Sequence, residues 1–581
     1  MPLFAFDRSF FLGVISRVDT RKVIIRVEDD DDLRKARVGR LLAVKGDGPV
    51  EIWLVGIVDR VLRTTASGAL PEDGNSGTPV AEDNKDDPDK DYQVNTVLST
   101  LVGTVKWDAN NGKNIFSRSI AQIPGIDAES YVLNDRHLET FMNILSSEGN
   151  KEQSLEFGRY VIAENAVAYL DGNRLFQRHA ALLGSTGSGK SWTVASILER
   201  AAVLPSSNLI VFDLHGEYRE LSYARHLRIP GPEDLGKTSN VLLYLPYWLL
   251  NAEEMQAMFI DRSEFSAYNQ VMAFQDAVIR QKKDTLASLK KQDVLAAFTL
   301  DSPIPFSIDA VANELNNLND EMEQGARGLK QGKFFGQFSR LLVRLRSKLN
   351  DRRYGFLFRA PQAEHTYESM AAIARKLMGY REKNARIKVI DFSEVPSEIL
   401  PVIVGLVARM VYEVQFWTDH SERHPVAMVC DEAHQYLPKT LGANPNEQRA
   451  IEAFEKIAKE GRKYGVSLFI VSQRPSDVST TVLSQCNNII ALRLTNVDDQ
   501  NTVRKMMPES LESLLEMLPV MDIGEALVVG DAVLLPSTIR VNKPKEKPLS
   551  ATFDFWSKWQ ETTVEPDLAR SVENMRRQGR S

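Results

Sequence analysis

One eight-residue stretch constrains the fold of this chain more than any other part of it, because it matches G-x-x-x-x-G-K-[ST] at every fixed position. The stretch reads Gly184, Ser185, Thr186, Gly187, Ser188, Gly189, Lys190 and Ser191. An apolar run over 180–183 predicts a buried strand before it, and residues 192–204 predict a helix with one apolar face after it. A strand, a glycine loop and a helix in this order predict a phosphate-binding loop. A chance match of a Gly/Ser-rich loop is the weaker alternative.

The chemistry of such a loop follows from its residue types. The glycines let backbone N–H groups turn inward around a polyphosphate, and the helix N-terminus adds the positive end of its dipole. Lys190 is expected to place its charge on the β- and γ-phosphates, and Ser191 to offer its hydroxyl to Mg²⁺. Together with Trp192, which begins the predicted helix, the loop residues form the candidate nucleotide-binding set. The chain is predicted to bind a nucleoside triphosphate.

Length and composition limit the class of protein. A chain of 581 residues is too long for one core, so two or three domains are expected. Two cysteines, Cys430 and Cys486, cannot build a disulfide framework or a zinc site, which favours a reducing cytoplasm. The longest apolar run, 399–408, ends at Arg409, and no secretory signal is recognised, so no membrane association is expected. The net charge of −7 does not indicate nucleic-acid binding globally, although a local basic surface remains compatible with it.

The first 150 residues predict a small β-barrel domain. Residues 4–63 alternate as strands do, and strand-like sequence returns at 96–105 and 117–123, followed by a helix over 138–145. Between them, residues 64–93 are acidic and almost free of apolar side chains, which predicts a mobile loop. A solvated insertion without a partner is the preferred interpretation of that loop.

The remainder predicts an α/β ATPase core of residues 151–249 and 386–545. Apolar runs at 209–212, 241–245, 387–390, 426–430, 468–471 and 489–492 have the character of strands in a parallel sheet that helices cover on both faces. Residues 250–385 are polar and helix-prone and predict a helical insertion. Residues 546–581 predict a tail that begins as a linker and is disordered from Arg570 on. Its aromatic residues are candidate anchors on a neighbouring subunit: Phe553, Phe555, Trp556 and Trp559.

A basic ridge in the insertion has two interpretations. Arg340, Arg344, Lys348 and Arg352 recur every fourth residue beside an apolar stripe. Such a ridge could face DNA, but a solvated ridge or one that pairs with a neighbouring subunit is the favoured interpretation.

Two acids complete the expected hydrolysis site. Asp431 and Glu432 follow the apolar run 426–430, where a strand ends. At that place Asp431 is expected to hold the Mg²⁺ shell and Glu432 to polarise the attacking water. His434 completes the letters D-E-A-H, which suggest a superfamily-two helicase, but the late Q-x-x-G-R-x-x-R motif of that class is not found. His434 is therefore assigned to a supporting or surface position.

Three further residues are candidates by position. Gln473 follows the run 468–471 and could report on the γ-phosphate, although a plain polar strand end is an equal alternative on position alone. Arg462 lies in Glu460-Gly461-Arg462-Lys463-Tyr464-Gly465 and could act as a finger in a neighbour's site. Glu217 lies in Asp213-Leu214-His215-Gly216-Glu217-Tyr218 and could join the water or metal shell.

The complete set of motifs, G-S-T-G-S-G-K-S, D-L-H-G-E-Y, D-E-A-H, E-G-R-K-Y-G and S-Q-R-P, resembles the HerA family of the HerA/FtsK superfamily. The agreement extends from about residue 155 to 541, and the acidic stretch 64–93 departs from it. The resemblance implies a RecA-like P-loop core, an N-terminal barrel of the ATP-synthase type and a helical insertion. It also implies ATP and Mg²⁺ as ligands, with Lys190, Ser191, Asp431 and Glu432 in the ATPase roles, Arg462 as the finger and Gln473 as the sensor.

What the resemblance implies about function is more specific. Members are usually hexameric double-stranded-DNA translocases or helicases that work with a nuclease such as NurA, or with sirtuin-like and other effectors in defence against phage. Two alternatives stay open. The chain could be an ATPase scaffold that assembles and regulates a partner effector, with DNA translocation secondary, or a conjugative or segregation pump, which the lack of membrane spans disfavours.

Overall fold

The computed structural model describes residues 4–47, 52–66, 92–108, 113–120, 122–148, 154–325, 328–382, 384–439, 445–508, 511–550, 554–561 and 567–578. The strands, numbered in chain order, are β1 Phe11–Asp19, β2 Lys22–Val27, β3 Leu41–Lys45, β4 Ile52–Ala66, β5 Tyr92–Asp108, β6 Lys113–Ser117, β7 Glu129–Val132, β8 Ser154–Tyr160, β9 Ala163–Asp171, β10 Ala180–Leu183, β11 Leu209–Asp213, β12 Arg225–Arg228, β13 Met322–Gly325, β14 Gly328–Gln331, β15 Ile387–Asp391, β16 Val426–Cys430, β17 Val466–Ser472, β18 Asn488–Ala491, β19 Glu525–Gly530 and β20 Ser537–Val541.

The α-helices, numbered in the same way, are α1 Asp30–Leu33, α2 Asp135–Glu148, α3 Gly172–Gln177, α4 Lys190–Ala202, α5 Ala252–Phe259, α6 Ala267–Ser288, α7 Gln292–Ala297, α8 Ile308–Asp320, α9 Ser339–Asn350, α10 Gly355–Phe358, α11 Ser369–Met378, α12 Leu400–Trp417, α13 Pro445–Glu460, α14 Thr480–Ser484, α15 Val497–Met506, α16 Glu512–Leu515, α17 Phe555–Gln560 and α18 Leu568–Arg577. The chain divides into two compact units, one of residues 1–197 and 487–543 and one of residues 198–486 and 544–581. The predicted domain boundaries, at 150, 250, 386 and 546, do not coincide with this division and remain predictions.

The N-terminal part of the first unit is a closed antiparallel barrel, as predicted. Strands β2, β1, β7, β3, β4 and β5 pair in that order, and β2 pairs with β5 to close the ring. Side chains that alternate along the strands fill its interior, among them Leu12, Ile25, Leu54 and Val97, all fully buried. The alternation in the sequence thus reflects one buried and one outward face.

Two details of the barrel differ from expectation. Strands β4 and β5 pair as far as Ala66 and Tyr92, so both ends of the predicted loop 64–93 belong to strands, and its centre, 67–91, lies outside the described residues. The predicted strand 117–123 is wrong, because β6 ends at Ser117. There the Arg118 guanidinium donates to the carbonyl oxygens of Gly530 (2.7 Å) and Leu534 (3.0 Å), which takes the chain away from the ladder.

The rest of the first unit carries the glycine loop on a mixed sheet. Its strands run in the order β10, β18, β19, β20, β8, β9; only β10 and β18 are parallel, and the other pairs are antiparallel. The parallel sheet that the apolar runs predict is therefore incomplete here. The cause is that β19 and β20 form a hairpin, which reverses the chain direction.

The second unit holds a fully parallel sheet in the order β12, β15, β11, β16, β17. All residues of β11, β15, β16 and β17 are buried, which explains why their sequences are mostly apolar. The predicted strand 241–245 is wrong: it makes one isolated bridge, Leu242 to Arg228, and β12 occupies that edge. Pro246, directly after the run, has no N–H to extend the ladder.

The predicted helical insertion is present as α5 to α11 with the hairpin β13–β14. Three residues of its basic ridge make contacts inside the chain, unlike either interpretation offered by the sequence, and the fourth, Arg340, is exposed. Arg344 pairs with Glu264 (2.6 Å), Lys348 packs its Nζ 4.4 Å from the centre of the Tyr354 ring, and Arg352 donates to the carbonyl of Pro232 (2.7 Å). These three side chains stabilise the insertion.

Helix α12 is longer than the apolar run 399–408 indicates. Its 18 residues are long and apolar enough to span a membrane by length and composition, yet 72% of them are buried inside the protein. Arg409 on this helix forms a two-pronged pair with Glu254 of α5, at 2.9 and 2.7 Å. Burial of a paired arginine in this way is typical of a core helix.

The tail contradicts its predicted disorder, because residues 568–577 form α18. The start of the tail is hydrogen-bonded to the segment that follows β11. The Ser222 N–H donates to Glu546 (2.6 Å), and the Leu549 N–H donates to the carbonyl of Glu217 (2.7 Å). Among the predicted anchors, three aromatic side chains on α17 are mostly exposed and Phe553 lies outside the described residues. The fold class is thus confirmed as α/β with a P-loop core, a helical insertion and an N-terminal barrel.

Candidate active site

The glycine loop connects β10 to α4 in the first unit, in the context the sequence predicts. Two backbone hydrogen bonds hold the loop in place. The Ser185 N–H donates to the carbonyl of Arg493 (2.9 Å), and the Gly524 N–H donates to the carbonyl of Ser188 (3.1 Å). Lys190 is buried, and its Nζ lies 3.3 Å from the carbonyl of Ser185. The ammonium is thereby held over the loop that is expected to receive the phosphates.

Three glycines of the loop are required by geometry. Gly187 and Gly189 have positive φ angles of 73° and 104°, which L side chains rarely adopt. A Cβ on Gly184 would approach Ser188 Oγ to 2.6 Å and Leu492 Cβ to 2.8 Å. The Ser188 hydroxyl is buried and has no hydrogen-bond partner within the described ranges. An inward-turned backbone with an unsatisfied buried hydroxyl fits an anionic polyphosphate.

Gly189→Ala should weaken ATP binding because a left-handed φ costs an L-residue about 1–2 kcal/mol and distorts the loop. The matched control is Gly236→Ala, since Gly236 also has a positive φ (80°), and a Cβ there would meet nothing within 4 Å. We expect both variants to lose similar thermal stability. Only Gly189→Ala should lose ATP affinity in a fluorescent-nucleotide titration. If the two variants bind ATP with equal affinity, the positive-φ conformation of Gly189 is not required for nucleotide binding.

In the second unit, the carboxyl ends of β11 and β16 bring four acids together. Asp213 ends β11 and accepts the N–H groups of Glu217 and Tyr218, both at 2.9 Å, which folds a turn at Gly216 (φ 72°). Asp431 and Glu432 follow β16, the neighbour of β11. Parallel neighbours end at the same edge, so the two pairs of acids converge.

The electrostatics of this acid cluster favour a cation. Burial raises the pKa of the Asp431 carboxyl well above its ordinary value, and the nearby Glu432, Glu217 and Asp213 carboxylates raise it further. Glu217 Oε2 is buried without a hydrogen-bond partner in the described part of the chain. The described residues contain no group of three or more ligands for a metal cage. One or two carboxylates of this kind fit Mg²⁺, which usually takes its other ligands from water and phosphate.

Glu432 has an unusual backbone and a close neighbour. Its φ of 47° and ψ of 42° are left-handed, a conformation that is uncommon outside glycine and concentrated at functional sites. Its carboxylate is mostly buried and lies 3.3 Å from Nδ1 of His434, which in turn lies 3.4 Å from Oγ of Ser472. The sequence assigned His434 only a supporting or surface position; the structure makes it a direct neighbour of Glu432.

The remaining candidates lie at opposite ends of β17. Gln473 directly follows β17 and is half-buried, next to Ser472 at the end near the acid cluster. Arg462 is exposed on a 3-10 turn, Gly461–Tyr464, before the strand begins. Because β17 has seven residues at about 3.3 Å each, roughly 20 Å separate the two ends. Arg462 is therefore far from the acid cluster of its own chain.

The predicted site residues thus fall into three groups. Residues 184–191, with the half-buried Trp192, form one group in the first unit; Glu217, Asp431, Glu432 and Gln473 form another in the second; and Arg462 lies apart from the latter. The supports Arg493, Gly524 and Tyr436, whose hydroxyl donates to the carbonyl of Asp431 (3.0 Å), were not identified from the sequence. Of these, only Gly524 offered a signal in the sequence, as a glycine directly before a strand, and its φ is positive (81°) in the structure.

Comparison with known proteins gives matches of two kinds. The family model described as "Helicase HerA, central domain" matches residues 155–411, and "Helicase HerA-like C-terminal" matches 411–540. The DNA double-strand break repair helicase HerA of Saccharolobus solfataricus is 23% identical and covers 96% of this chain and 97% of its own length. The protein of the same name from Pyrococcus furiosus is 25% identical over 68% of this chain and 70% of its own.

Solved structures are similar at a lower level. VirB4 of Thermoanaerobacter pseudethanolicus has a TM-score of 0.45 at 17% identity and covers 68% of this chain and 98% of its own. Plasmid coupling protein TrwB in complex with ADP and Mg²⁺ has a TM-score of 0.41 at 12% identity, over 69% of this chain and 93% of its own. The family assignment comes instead from the two family models, which together span residues 155–540. The chain belongs to the HerA helicase family and is a P-loop enzyme that hydrolyses ATP.

Proposed function

We propose that this protein is an ATP-driven translocase or helicase on double-stranded DNA that works as a homo-hexamer in the cytoplasm. The proposal that the protein acts as an assembly rests on the position of Arg462, which lies at the end of β17 that is remote from the acid cluster. The names of the relatives, which are DNA double-strand break repair helicases, support the DNA substrate. The mostly buried helix α12 supports a protein outside the membrane.

The residue roles follow from charge and burial. Lys190 neutralises the β- and γ-phosphates of ATP, and the backbone of 184–191 with Trp192 holds the nucleotide. Ser191 supplies a hydroxyl and Asp431 a carboxylate to Mg²⁺, which when bound neutralises phosphate charge. Glu432 accepts the proton of the attacking water, Glu217 orients that water or the metal shell, and Gln473 senses the γ-phosphate.

Arg462 acts on a second copy of the chain. A group about 20 Å from its own acid cluster cannot stabilise charge there, whereas an exposed guanidinium on a short rigid turn can reach another subunit. The turn is braced by aromatic packing, since the Tyr464 ring lies 5.1 Å from Phe416 and 5.6 Å from Tyr412. Trp417, the last residue of α12 and next to Phe416, is 82% exposed, and tryptophan is enriched among the residues that contribute most to protein–protein interfaces.

A mixing experiment tests the assembly. Arg462→Ala subunits retain Lys190, and Lys190→Ala subunits retain Arg462, so a mixed ring contains some sites with both groups. We expect each variant alone to be nearly inactive and an equimolar mixture to recover a measurable fraction of ATP turnover. The control mixes wild-type protein with the double variant, which should only dilute activity. No recovery at any ratio would remove the trans role of Arg462.

The DNA substrate is tested separately, because an ATPase scaffold for a partner effector is the alternative. A motor should hydrolyse ATP several-fold faster when double-stranded DNA is added, whereas a scaffold should not respond. The partner, a NurA-like nuclease or a sirtuin-like or other defence effector, is best identified by co-purification from the native source and mass analysis. An isolated protein that DNA does not stimulate, but that an effector does, would favour the scaffold.

A further inference from the structure

Three side chains form a continuous path from the Glu432 carboxylate to the carboxyl end of β17. Glu432 Oε2 lies 3.3 Å from His434 Nδ1, and His434 Nδ1 lies 3.4 Å from Ser472 Oγ. The Ser472 oxygen also accepts the backbone N–H of Arg474 at 3.0 Å. Ser472 is fully buried, and the side chains of Glu432 and His434 are 13% and 16% exposed. The path thus lies mostly out of water.

The contacts of His434 favour one of its two neutral tautomers. In the Nδ1–H tautomer the ring can donate to the Ser472 oxygen at 3.4 Å, and it places the positive end of the N–H dipole 3.3 Å from the Glu432 carboxylate oxygen, which can only accept. A histidine in this tautomer fixes the orientation of the carboxylate beside it, as an orienting group does for a general base.

The backbone increases the need for such a contact. Glu432 has a left-handed backbone conformation, and its own N–H donates to Asp431 Oδ1 at 3.0 Å, which restrains the main chain but not the side-chain torsions. A glutamate has three such torsions, and a base out of position by about 1 Å loses much of its effect. His434 supplies a restraint on those torsions from the following turn, Ala433–Gln435.

We propose that His434 is a positioning residue that holds the carboxylate of Glu432 and connects it, through Ser472, to the strand end that carries Gln473. The inference rests on the proposed role of Glu432 as the base. If Gln473 moves when it contacts the γ-phosphate, the movement would be transmitted to Glu432 through the buried Ser472 hydroxyl and the His434 ring. Hydrolysis would be permitted when the sensor is engaged.

The experiment compares His434→Ala, His434→Asn and Ser472→Ala in the full-length protein, with His420→Ala as control. His420 is an exposed histidine on the loop after α12. We expect His434→Ala to lower kcat about 10- to 100-fold, within the 10²–10⁴ that a positioned base supplies, while KM for ATP changes less than about twofold. His434→Asn should recover part of kcat, because the asparagine amide places an N–H near the position of Nδ1.

A second measurement separates positioning from folding. Melting temperature and affinity for a non-hydrolysable ATP analogue should be unchanged in all the variants. If the path is one unit, Ser472→Ala should lower kcat less than His434→Ala, and the double variant should be no slower than His434→Ala alone. Additive losses, a raised KM, or wild-type turnover in His434→Ala would overturn the inference.

Failure of this inference is distinguishable from failure of the proposed function. If Glu432→Gln stalls hydrolysis and His434→Ala does not, Glu432 keeps its role and only the positioning by His434 is lost. If Glu432→Gln turns over normally, the base itself is wrongly assigned. A rise of kcat in His434→Ala would mean that the contact holds Glu432 away from its working position, which also contradicts the proposal.

Discussion

Lys190→Ala is expected to reduce ATP turnover by at least about 10³-fold, the upper range for removal of one preorganised group that stabilises transition-state charge. The physical reason is that Lys190 is a buried cation whose Nζ lies over the loop, 3.3 Å from the Ser185 carbonyl. Without it the β- and γ-phosphates of bound ATP have no point charge from the loop. A phosphate-release assay at saturating ATP measures the loss.

The control for Lys190→Ala is Lys330→Ala, which removes a mostly exposed lysine that pairs with Glu323 on the hairpin β13–β14. An exposed pair of this kind contributes about 0–1 kcal/mol, so turnover and melting temperature should stay at wild-type values. Near-normal hydrolysis by Lys190→Ala would refute the loop as the nucleotide site, whatever its sequence. Loss of activity in both variants would point to a fault of folding.

Glu432→Gln is expected to bind ATP with wild-type affinity and to hydrolyse it about 10²- to 10⁴-fold more slowly. Glutamine has almost the same shape and can keep the left-handed backbone as glutamate does, but its amide cannot accept a proton from water. The variant should therefore accumulate in the ATP-bound state. Equilibrium binding of a labelled nucleotide together with single-turnover hydrolysis separates the two effects.

The control for Glu432→Gln is Glu422→Gln, because Glu422 is an exposed acid in the loop before β16. It should leave both binding and turnover unchanged. Wild-type turnover by Glu432→Gln would remove the water-polarising role. Loss of ATP binding would instead indicate that the charge of Glu432 belongs to the cation shell with Asp431.

The local features that the sequence predicted correctly share a physical cause. The loop 184–191, strand β10 and helix α4 are set by neighbours along the chain, because glycine torsions, apolar runs and helical periodicity are local properties. The alternation in the first 63 residues is local in the same sense, so the barrel was also predicted. Errors arose where a short apolar run can be buried either as a strand or as an irregular segment, as at 241–245, where residues 242–245 are buried without joining the sheet as a strand.

The tertiary structure decided what depends on distant contacts. Helix α18 was mistaken for disorder because its apolar stripe is short, with only Leu568, Val572 and Met575, and stays largely exposed. The basic ridge of α9 and the turn after it contacts Glu264, Tyr354 and the Pro232 carbonyl, up to 120 residues away. The contact of His434 with Ser472 also required β16 and β17 to be neighbours. The sequence by itself therefore identified the candidate residues for phosphate binding and hydrolysis, because they lie in local motifs. Only the packed sheet determined which of them touch, because distances between strands are not encoded locally.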